Sequence, residues 1–163
     1  AHPVVALRNV RRALLPGGRL AMVVWRRRID NDWIYRAQTI VEQLVPRPEQ
    51  YDEPTCGPGP FSMADADTTT DILRRAGYQN IALHRCDEPT TIGSHLDEAI
   101  DFLMALGPAG EILRLQGERA IHLYESIREA LRVGLADLVT PSGVIGQASS
   151  WIVTATTAGD RQA

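Results

Sequence analysis

The sequence has 163 residues, is 44% hydrophobic and carries a formal net charge of -3 at pH 7. This composition is typical of a globular domain with one hydrophobic core, and it argues against a disordered chain and against nucleic acid as the main partner. No run approaches the roughly 20 apolar residues of a membrane span, and the first residues lack a signal-peptide pattern. We therefore predict a cytoplasmic protein with no membrane partner.

The basic residues indicate the type of genome that encodes the chain, and the cysteines indicate whether it binds a metal. All 17 basic residues are arginine, a bias that is typical of GC-rich bacterial genomes. The two cysteines, Cys56 and Cys86, are not spaced as metal ligands. In a reducing compartment such isolated thiols are most often ordinary small side chains, so we predict no metal site.

The first predicted elements are a helix and a strand joined by a tight turn. Across residues 2–14, apolar residues recur at three- and four-residue intervals, which predicts a helix with one apolar stripe. Pro16, Gly17 and Gly18 then end the helix and turn the chain. Residues 19–25 form a strand with two apolar faces, the pattern of a central strand that is covered by layers on both sides.

A second helix, a long loop and a helix–strand unit follow. The second helix has an apolar stripe that includes Trp33. Residues 46–61 hold five of the ten prolines and predict an irregular loop, which in a compact domain is often functional. Residues 62–76 predict a third helix that ends at Gly77. Residues 78–86 alternate between apolar and polar side chains, which predicts a half-buried strand at a sheet edge.

The last third of the chain is mostly helical. Ser94 and Asp97 are spaced like a capping box for a helix over residues 95–106. Shorter and longer helical patterns cover residues 109–115 and 118–138, and a turn leads to a final strand. We predict this final strand over residues 149–157.

Three motifs give the chain a resemblance to a known family. They are RALLPGGRL from Arg12 to Leu20, ILRRAGY from Ile72 to Tyr78, and WIVTA from Trp151 to Ala155. In this order, with the helical segment between the last two, they resemble the C-terminal half of class I S-adenosylmethionine-dependent methyltransferases. The similarity is to the small-molecule type related to quinone-biosynthesis enzymes, and it covers almost the whole chain.

The resemblance implies an α/β fold with part of a Rossmann-like methyltransferase sheet. Residues 19–25, 79–86 and 149–157 would be strands 5, 6 and 7 of that fold, in a mixed sheet of order 5-7-6. We expect a single domain over residues 1–163, with a helical insert at about 94–140 between the last two strands. In the family such an insert caps the substrate site, and a dimerisation arm is the alternative.

The same resemblance implies S-adenosylmethionine as the cofactor of the intact family. The family holds it with a Gly-rich turn after strand 1 and an acidic residue after strand 2. The glycines at 17–18 and 57–59 neither follow a strand nor open a helix, so no cofactor-binding residue is assigned and no cofactor is expected for this chain alone. We predict the substrate-side portion of a small-molecule methyltransferase, inactive by itself; the alternative is a non-catalytic oligomerising module that binds a ligand or a partner.

Four residues are substrate-pocket candidates because they lie at or after the carboxyl end of the first strand, where ligands bind in open α/β sheets. They are Trp25, Arg28, Trp33 and Phe61. The alternatives are that Trp33 is a core residue and that the arginine run at 26–28 is solvated.

No residue is predicted to be catalytic. His84, His95 and His122 lack a second group at a spacing that suggests general acid–base chemistry. Asp30 and Asp32 suit helix capping better than a pocket mouth.

The predicted partners are a small-molecule ligand and a second copy of the chain. An open edge of the strand at 19–25 would be a template for pairing, so a second copy would bind there or through the helical insert. The alternative is that the first helix folds over that edge.

Overall fold

A computed structural model describes residues 2–45 and 59–159, and these form an α/β protein. The strands of the described residues are β1 (Arg19–Trp25), β2 (Gln79–Gly93), β3 (Val139–Thr140) and β4 (Gly143–Thr156). The helices of the same residues are α1 (Pro3–Ala13), α2 (Asp32–Leu44), α3 (Ala66–Ala76), α4 (Leu96–Ala105), α5 (Gly107–Gln116), α6 (Glu118–Ile121) and α7 (Tyr124–Gly134). Short 3-10 turns follow β1 and α7, at Arg28–Asp30 and Ala136–Leu138.

The four strands form one antiparallel sheet in which the long strands have the order β1-β4-β2. β1 pairs with β4 from Arg19 opposite Thr156 to Trp25 opposite Ser150. The short strand β3 forms a hairpin with the start of β4. All pairing in this sheet is antiparallel, so the mixed, Rossmann-like sheet expected from the sequence is not confirmed.

The described residues divide into two compact units. Unit 1 consists of residues 2–27, 59–87 and 149–159, and unit 2 of residues 28–45 and 88–148. The strands β2 and β4 each contribute residues to both units. The single domain expected over residues 1–163 stays a prediction.

Unit 1 has a core formed by α1, α3 and one face of the sheet. Its buried residues are Leu73, Ala76, Tyr78, Val153 and Ala155. Partly buried side chains from α1 and β1 pack against them: Val4, Leu7, Leu14, Leu20, Met22 and Val24. Gly77 has a left-handed φ of 91° and ends α3, as the sequence predicts.

The second face of β1 is open, and the prediction of a strand covered on both sides is wrong for the described residues. Ala21 and Val23 alternate with the core-facing side chains, and Val23 is 69% exposed. Ile152, directly opposite Val23 on β4, is 38% exposed. Among the described residues β1 is hydrogen-bonded to β4 alone, so β1 is an edge strand with an apolar outer face.

Unit 2 is built mainly from α2, α4, α5 and α7, which contact one another. Its core consists of aliphatic and aromatic side chains that include Trp33, Val41, Ile100, Leu103, Ile112, Ile127, Leu131 and Leu135. Ion pairs connect α7 to α4: Arg132 bonds Asp97 at 2.5 Å, and Arg128 bonds Asp101. Such pairs fix the relative register of two helices even where each contributes little stability.

Several boundaries differ from those predicted. The helix α3 begins at Ala66 rather than at 62. β2 runs to Gly93 rather than ending at 86, and it contains Pro89, a residue that sheets accept on edge strands. β4 begins at Gly143 rather than at 149, because the β3 hairpin extends it. The long helix predicted over 118–138 is instead two helices, α6 and α7, separated by His122 and Leu123.

The predicted capping box at the start of α4 is also wrong in its register. His95 rather than Ser94 is the N-cap residue, and its Nδ1 accepts a hydrogen bond from the Glu98 N–H at 3.2 Å. The Glu98 carboxylate accepts from the Ser94 N–H at 2.7 Å. Glu98 therefore takes the capping-box position predicted for Asp97, and Asp97 instead accepts a hydrogen bond from Arg132.

Candidate functional site

Two of the four predicted pocket residues meet at the carboxyl end of β1. Trp25 is the last residue of β1, and Phe61 lies in a turn over residues 59–63. Their ring centroids are 6.3 Å apart with an interplanar angle of 43°, and both side chains are partly buried. This tilted arrangement is favourable for two aromatic rings and leaves part of each ring surface accessible.

The turn that carries Phe61 is held by two hydrogen bonds within unit 1. The Ala64 N–H donates to the Phe61 carbonyl oxygen at 3.1 Å. The Ala64 carbonyl oxygen in turn accepts from the indole Nε1 of Trp151 at 2.8 Å. The indole of Trp151 therefore fixes Phe61 relative to the centre of the sheet.

The other two predicted pocket residues belong to unit 2. Arg28 lies in the 3-10 turn after β1, and its Nη1 donates to Gln38 Oε1 at 3.0 Å. Trp33 is 6% exposed and stacks on Phe102 with centroids 6.3 Å apart. A Cβ added to Gly146 would lie 2.6 Å from the Trp33 ring, which shows how closely this tryptophan is packed. Trp33 therefore occupies a core position, the alternative interpretation of this residue.

A buried arginine lies beside Trp25, and the alternative of a solvated arginine run does not hold for it. Arg26 is 9% exposed. Its Nη1 donates to Ser149 Oγ at 2.9 Å and lies 3.7 Å from Asp87 Oδ1. The guanidinium also lies 4.8 Å from the ring centroid of Trp151. A buried charge requires partners of this kind, because leaving it unpaired costs several kcal/mol.

Ser149 and Asp87 complete this polar cluster, which we call the strand-end cluster (Arg26, Asp87, Ser149 and Arg85). Ser149 Oγ donates to Asp87 Oδ1 at 2.5 Å, and Arg85 Nε donates to Asp87 Oδ2 at 2.5 Å. These bonds, that from Ser149 above all, lower the pKa of the Asp87 carboxyl below its usual value. Asp87 is therefore ionised at neutral pH and balances the charge of Arg26.

The strand-end cluster was missed by the sequence analysis for a topological reason. Arg26 and Ser149 are 123 positions apart in the sequence, and Asp87 comes from a third strand. Only the pairing of β4 with its neighbours brings them together. The one local signal is that Arg26 immediately follows a strand in which Leu20, Met22 and Val24 point to the core, so that its side chain continues the core-facing alternation.

The Gly17-Gly18 turn before β1 is engaged in structural hydrogen bonds. The Gly17 N–H donates to the Ala158 carbonyl oxygen at 3.0 Å, and the Gly18 N–H donates to that of Leu15 at 2.8 Å. Both amides that a phosphate or carboxylate group would need are therefore directed at carbonyl oxygens of the chain. Of the glycines at 57 and 59, Gly57 lies outside the described residues.

The three histidines considered as catalytic candidates are dispersed. His84 lies on β2 and His122 between α6 and α7, both exposed, while His95 caps α4. Within residues 2–45 and 59–159, no group of three or more His, Cys, Asp or Glu side chains could hold a metal ion. None of the helices in that part of the chain is both long and apolar enough to cross a membrane.

Comparison with known proteins does not add to these observations. No protein-family model matches the sequence, and no curated protein matches it.

Proposed function

We propose that the chain forms the substrate-side portion of a small-molecule methyltransferase that uses S-adenosylmethionine. Its counterpart of the family's strand 5 would be β1, and β4 and β2 would be strands 7 and 6. The proposal draws support from the motifs at 12–20, 72–78 and 151–155 and from the α3–Gly77–β2 unit between them. A cytoplasmic location is part of the same proposal.

One observation supports the proposal more than any other. The order β1-β4-β2, with β4 antiparallel to β1, is the order in which strands 5, 7 and 6 would lie, and the Trp25–Phe61 pair stands at the carboxyl end of β1. In open α/β sheets ligands bind at that end of the strands. The partly accessible rings suit one wall of a site for an apolar methyl acceptor.

The proposal assigns no methyl transfer to the 163 residues by themselves. Enzymes of this kind work largely by holding donor and acceptor in a reactive geometry, so both binding sites are required at once. The Gly-rich turn and the acidic residue that hold S-adenosylmethionine have no counterpart here. A further segment or a second polypeptide would have to provide strands 1 to 4.

The first test is titration calorimetry of the purified chain with S-adenosylmethionine, with the mass in solution measured on the same sample. We expect no saturable heat for the chain alone. Joined to, or co-expressed with, a segment that contains the Gly-rich strand–turn–helix, it should bind about one cofactor per complex and methylate a small O, N or C nucleophile. Saturable binding by the chain alone would contradict the assignment, as would an assembled complex that binds no cofactor.

The second test separates the acceptor side from the cofactor side of that complex. Trp25→Ala and Phe61→Ala should each raise the KM for the acceptor about tenfold, which corresponds to an aromatic contact of about 1.4 kcal/mol. The affinity for S-adenosylmethionine should not change. Val133→Ala, at an exposed position of unit 2, is the matched control and should leave both constants unchanged.

A second candidate function is favoured by the open face of β1. Among the described residues β1 pairs with β4 alone, and Val23 and Ile152 are exposed on the outer face of these two strands. Such an edge strand can bind another β-strand. On this reading the chain is a non-catalytic module that associates with a second copy of itself. A chain that remains monomeric in solution would remove this second candidate.

A further inference from the structure

The Trp25–Phe61 pair is connected to the strand-end cluster through two separate routes. On the first route, Trp25 is covalently followed by Arg26, whose backbone N–H donates to the Ser149 carbonyl oxygen at 3.1 Å. The Arg26 side chain reaches the hydroxyl of the same serine at 2.9 Å. Both the main chain and the side chain of Arg26 are thus held by Ser149, and the position of Trp25 depends on them.

The second route passes through Trp151 to Phe61. The Arg26 guanidinium lies over the Trp151 ring, and the Trp151 Nε1–H holds the Ala64 carbonyl oxygen of the turn that carries Phe61. Trp151 is two residues from Ser149 on β4, so both side chains point to the same face of the sheet. The positions of Trp25 and Phe61 therefore depend on the same contacts, those that Arg26 makes with Ser149 and with Trp151.

We propose that Ser149 is a positioning residue for the Trp25–Phe61 pair. Its hydroxyl accepts from Arg26 and donates to Asp87, so it keeps the guanidinium seated over Trp151 and the end of β1 in place. Asp87 holds Ser149 in this orientation. The proposed effect on the two rings runs through Arg26 and Trp151. The inference rests on the proposed function, because it assigns the role of an acceptor-site wall to Trp25 and Phe61.

The test uses fluorine NMR of the whole chain labelled with 5-fluorotryptophan, which gives one signal for each of the three tryptophans. Single Trp→Phe variants assign the signals. In Ser149→Ala we expect the signals of Trp25 and Trp151 both to shift, while that of Trp33, which belongs to unit 2, stays in place. Ser149→Thr, which keeps the hydroxyl, should restore both signals.

The control is Tyr78→Phe, which also removes a single hydroxyl from unit 1. The Tyr78 hydroxyl donates to the Leu7 carbonyl oxygen at 3.2 Å, away from the strand-end cluster. It should leave the Trp25 and Trp151 signals unchanged. A Trp25 signal that does not move in Ser149→Ala, or that moves as far in Tyr78→Phe, would overturn the positioning role.

A second variant decides the question if Ser149→Ala gives the signals of an unfolded unit 1. Asp87→Ala removes the acceptor of the Ser149 hydroxyl but keeps the Arg26–Ser149 contact, and the side chain of Asp87 is 30% exposed. The expected result is the same paired shift with a smaller size, and unmoved signals would overturn the inference. Because no donor or acceptor of the methyl group is used, its failure leaves the proposed function standing.

Discussion

The charge on Asp87 has a consequence for stability that depends on pH. Hydrogen bonds from Ser149 and Arg85 lower the pKa of this carboxyl in the folded protein. A group of this kind contributes stability above its unfolded pKa, near 3.9 for aspartate, and this contribution is lost as the pH falls through the folded pKa. The strand-end cluster should therefore weaken in acid.

We expect the free energy of unfolding of the wild type to exceed that of Asp87→Asn at about pH 6 and the difference to shrink below about pH 4. Asparagine keeps the shape of the side chain but cannot be ionised. Urea unfolding at a series of pH values measures both proteins. A difference that stays constant down to about pH 2.5 would contradict this account.

Trp25 and Trp33 should differ in how much their side chains contribute to the free energy of unfolding. Alanine variants of the two residues measure this difference. Trp33 is buried between Phe102 and Gly146, so Trp33→Ala should cost about 3–5 kcal/mol of unfolding free energy. Trp25 is only partly buried, and Trp25→Ala should cost less. Denaturant unfolding of both variants tests the difference. Equal losses would mean that Trp25 is a core residue and not a pocket wall.

The identity of single site residues could be predicted from the sequence only in part. Trp25 and Phe61 were predicted as pocket residues because they lie at or after the carboxyl end of the strand at 19–25, and their role in binding stays a prediction. A solvated arginine run at 26–28 was one alternative, but Arg26 is buried and its partners are distributed over two other strands. A sequence does not show which distant strands become neighbours. The local signal for the strand-end cluster is therefore limited to the place of Arg26 in the core-facing alternation that begins in β1.

The connection between α3 and β2 requires glycine at position 77 for two reasons, its backbone conformation and its closeness to Arg11. Gly77 has a left-handed φ of 91°, and a Cβ there would lie 2.9 Å from Arg11 Nε. Gly17 shares the left-handed conformation, with a φ of 71°, but a Cβ there would meet no atom within 4 Å. An alanine at position 17 would therefore add backbone strain alone, whereas an alanine at position 77 would add the same strain and a steric clash with Arg11.

We expect Gly17→Ala to cost about 1–2 kcal/mol, the strain of a left-handed alanine, and Gly77→Ala to cost more because Arg11 must also move. Thermal or urea unfolding of the two variants gives the comparison. In the double variant Gly77→Ala, Arg11→Ala, the excess over Gly17→Ala should diminish. An excess that survives the removal of the Arg11 side chain would show that the steric explanation is wrong.

The elements with strong local signals were predicted well, and those that depend on distant pairing were not. The bounds of β1 and the end of α3 follow from the Pro-Gly-Gly turn and from Gly77. The extension of β2 to Gly93 and the early start of β4 require partner strands, which local propensity cannot specify. The break between α6 and α7 contains neither proline nor glycine, and nothing in its local sequence predicts it.

The open face of β1 has the largest consequence for the state of the protein in solution. The exposed Val23 on this edge strand and the exposed Ile152 opposite it favour association, because burying apolar surface is worth about 25 cal/mol per Å² removed from water. If a second copy binds through β1, a charge on this face should weaken the complex. If it binds through the helical insert, a charge on an exposed helix of unit 2 should do so instead.

Val23→Arg and Val133→Arg form a matched pair for this question, since both side chains are about 70% exposed. We expect Val23→Arg to shift the chain towards monomer in sedimentation equilibrium and Val133→Arg to leave its association unchanged. The fold of each variant is checked by circular dichroism. The opposite pattern would assign the association to the helical insert, and a wild-type chain that is monomeric throughout would remove the interaction-module alternative.

The division of β2 and β4 between the two units also bears on the order in which the chain is able to fold while it is being synthesised. All described residues of unit 2 have been made once residue 148 is reached, whereas the buried cluster of unit 1 lacks Val153 and Ala155 until these positions are made. The helix α1 can pack on α3 much earlier, but among the described residues β1 has no partner strand until β4 is made. The apolar side chains of β1 are the ones that a ribosome-bound chaperone would meet.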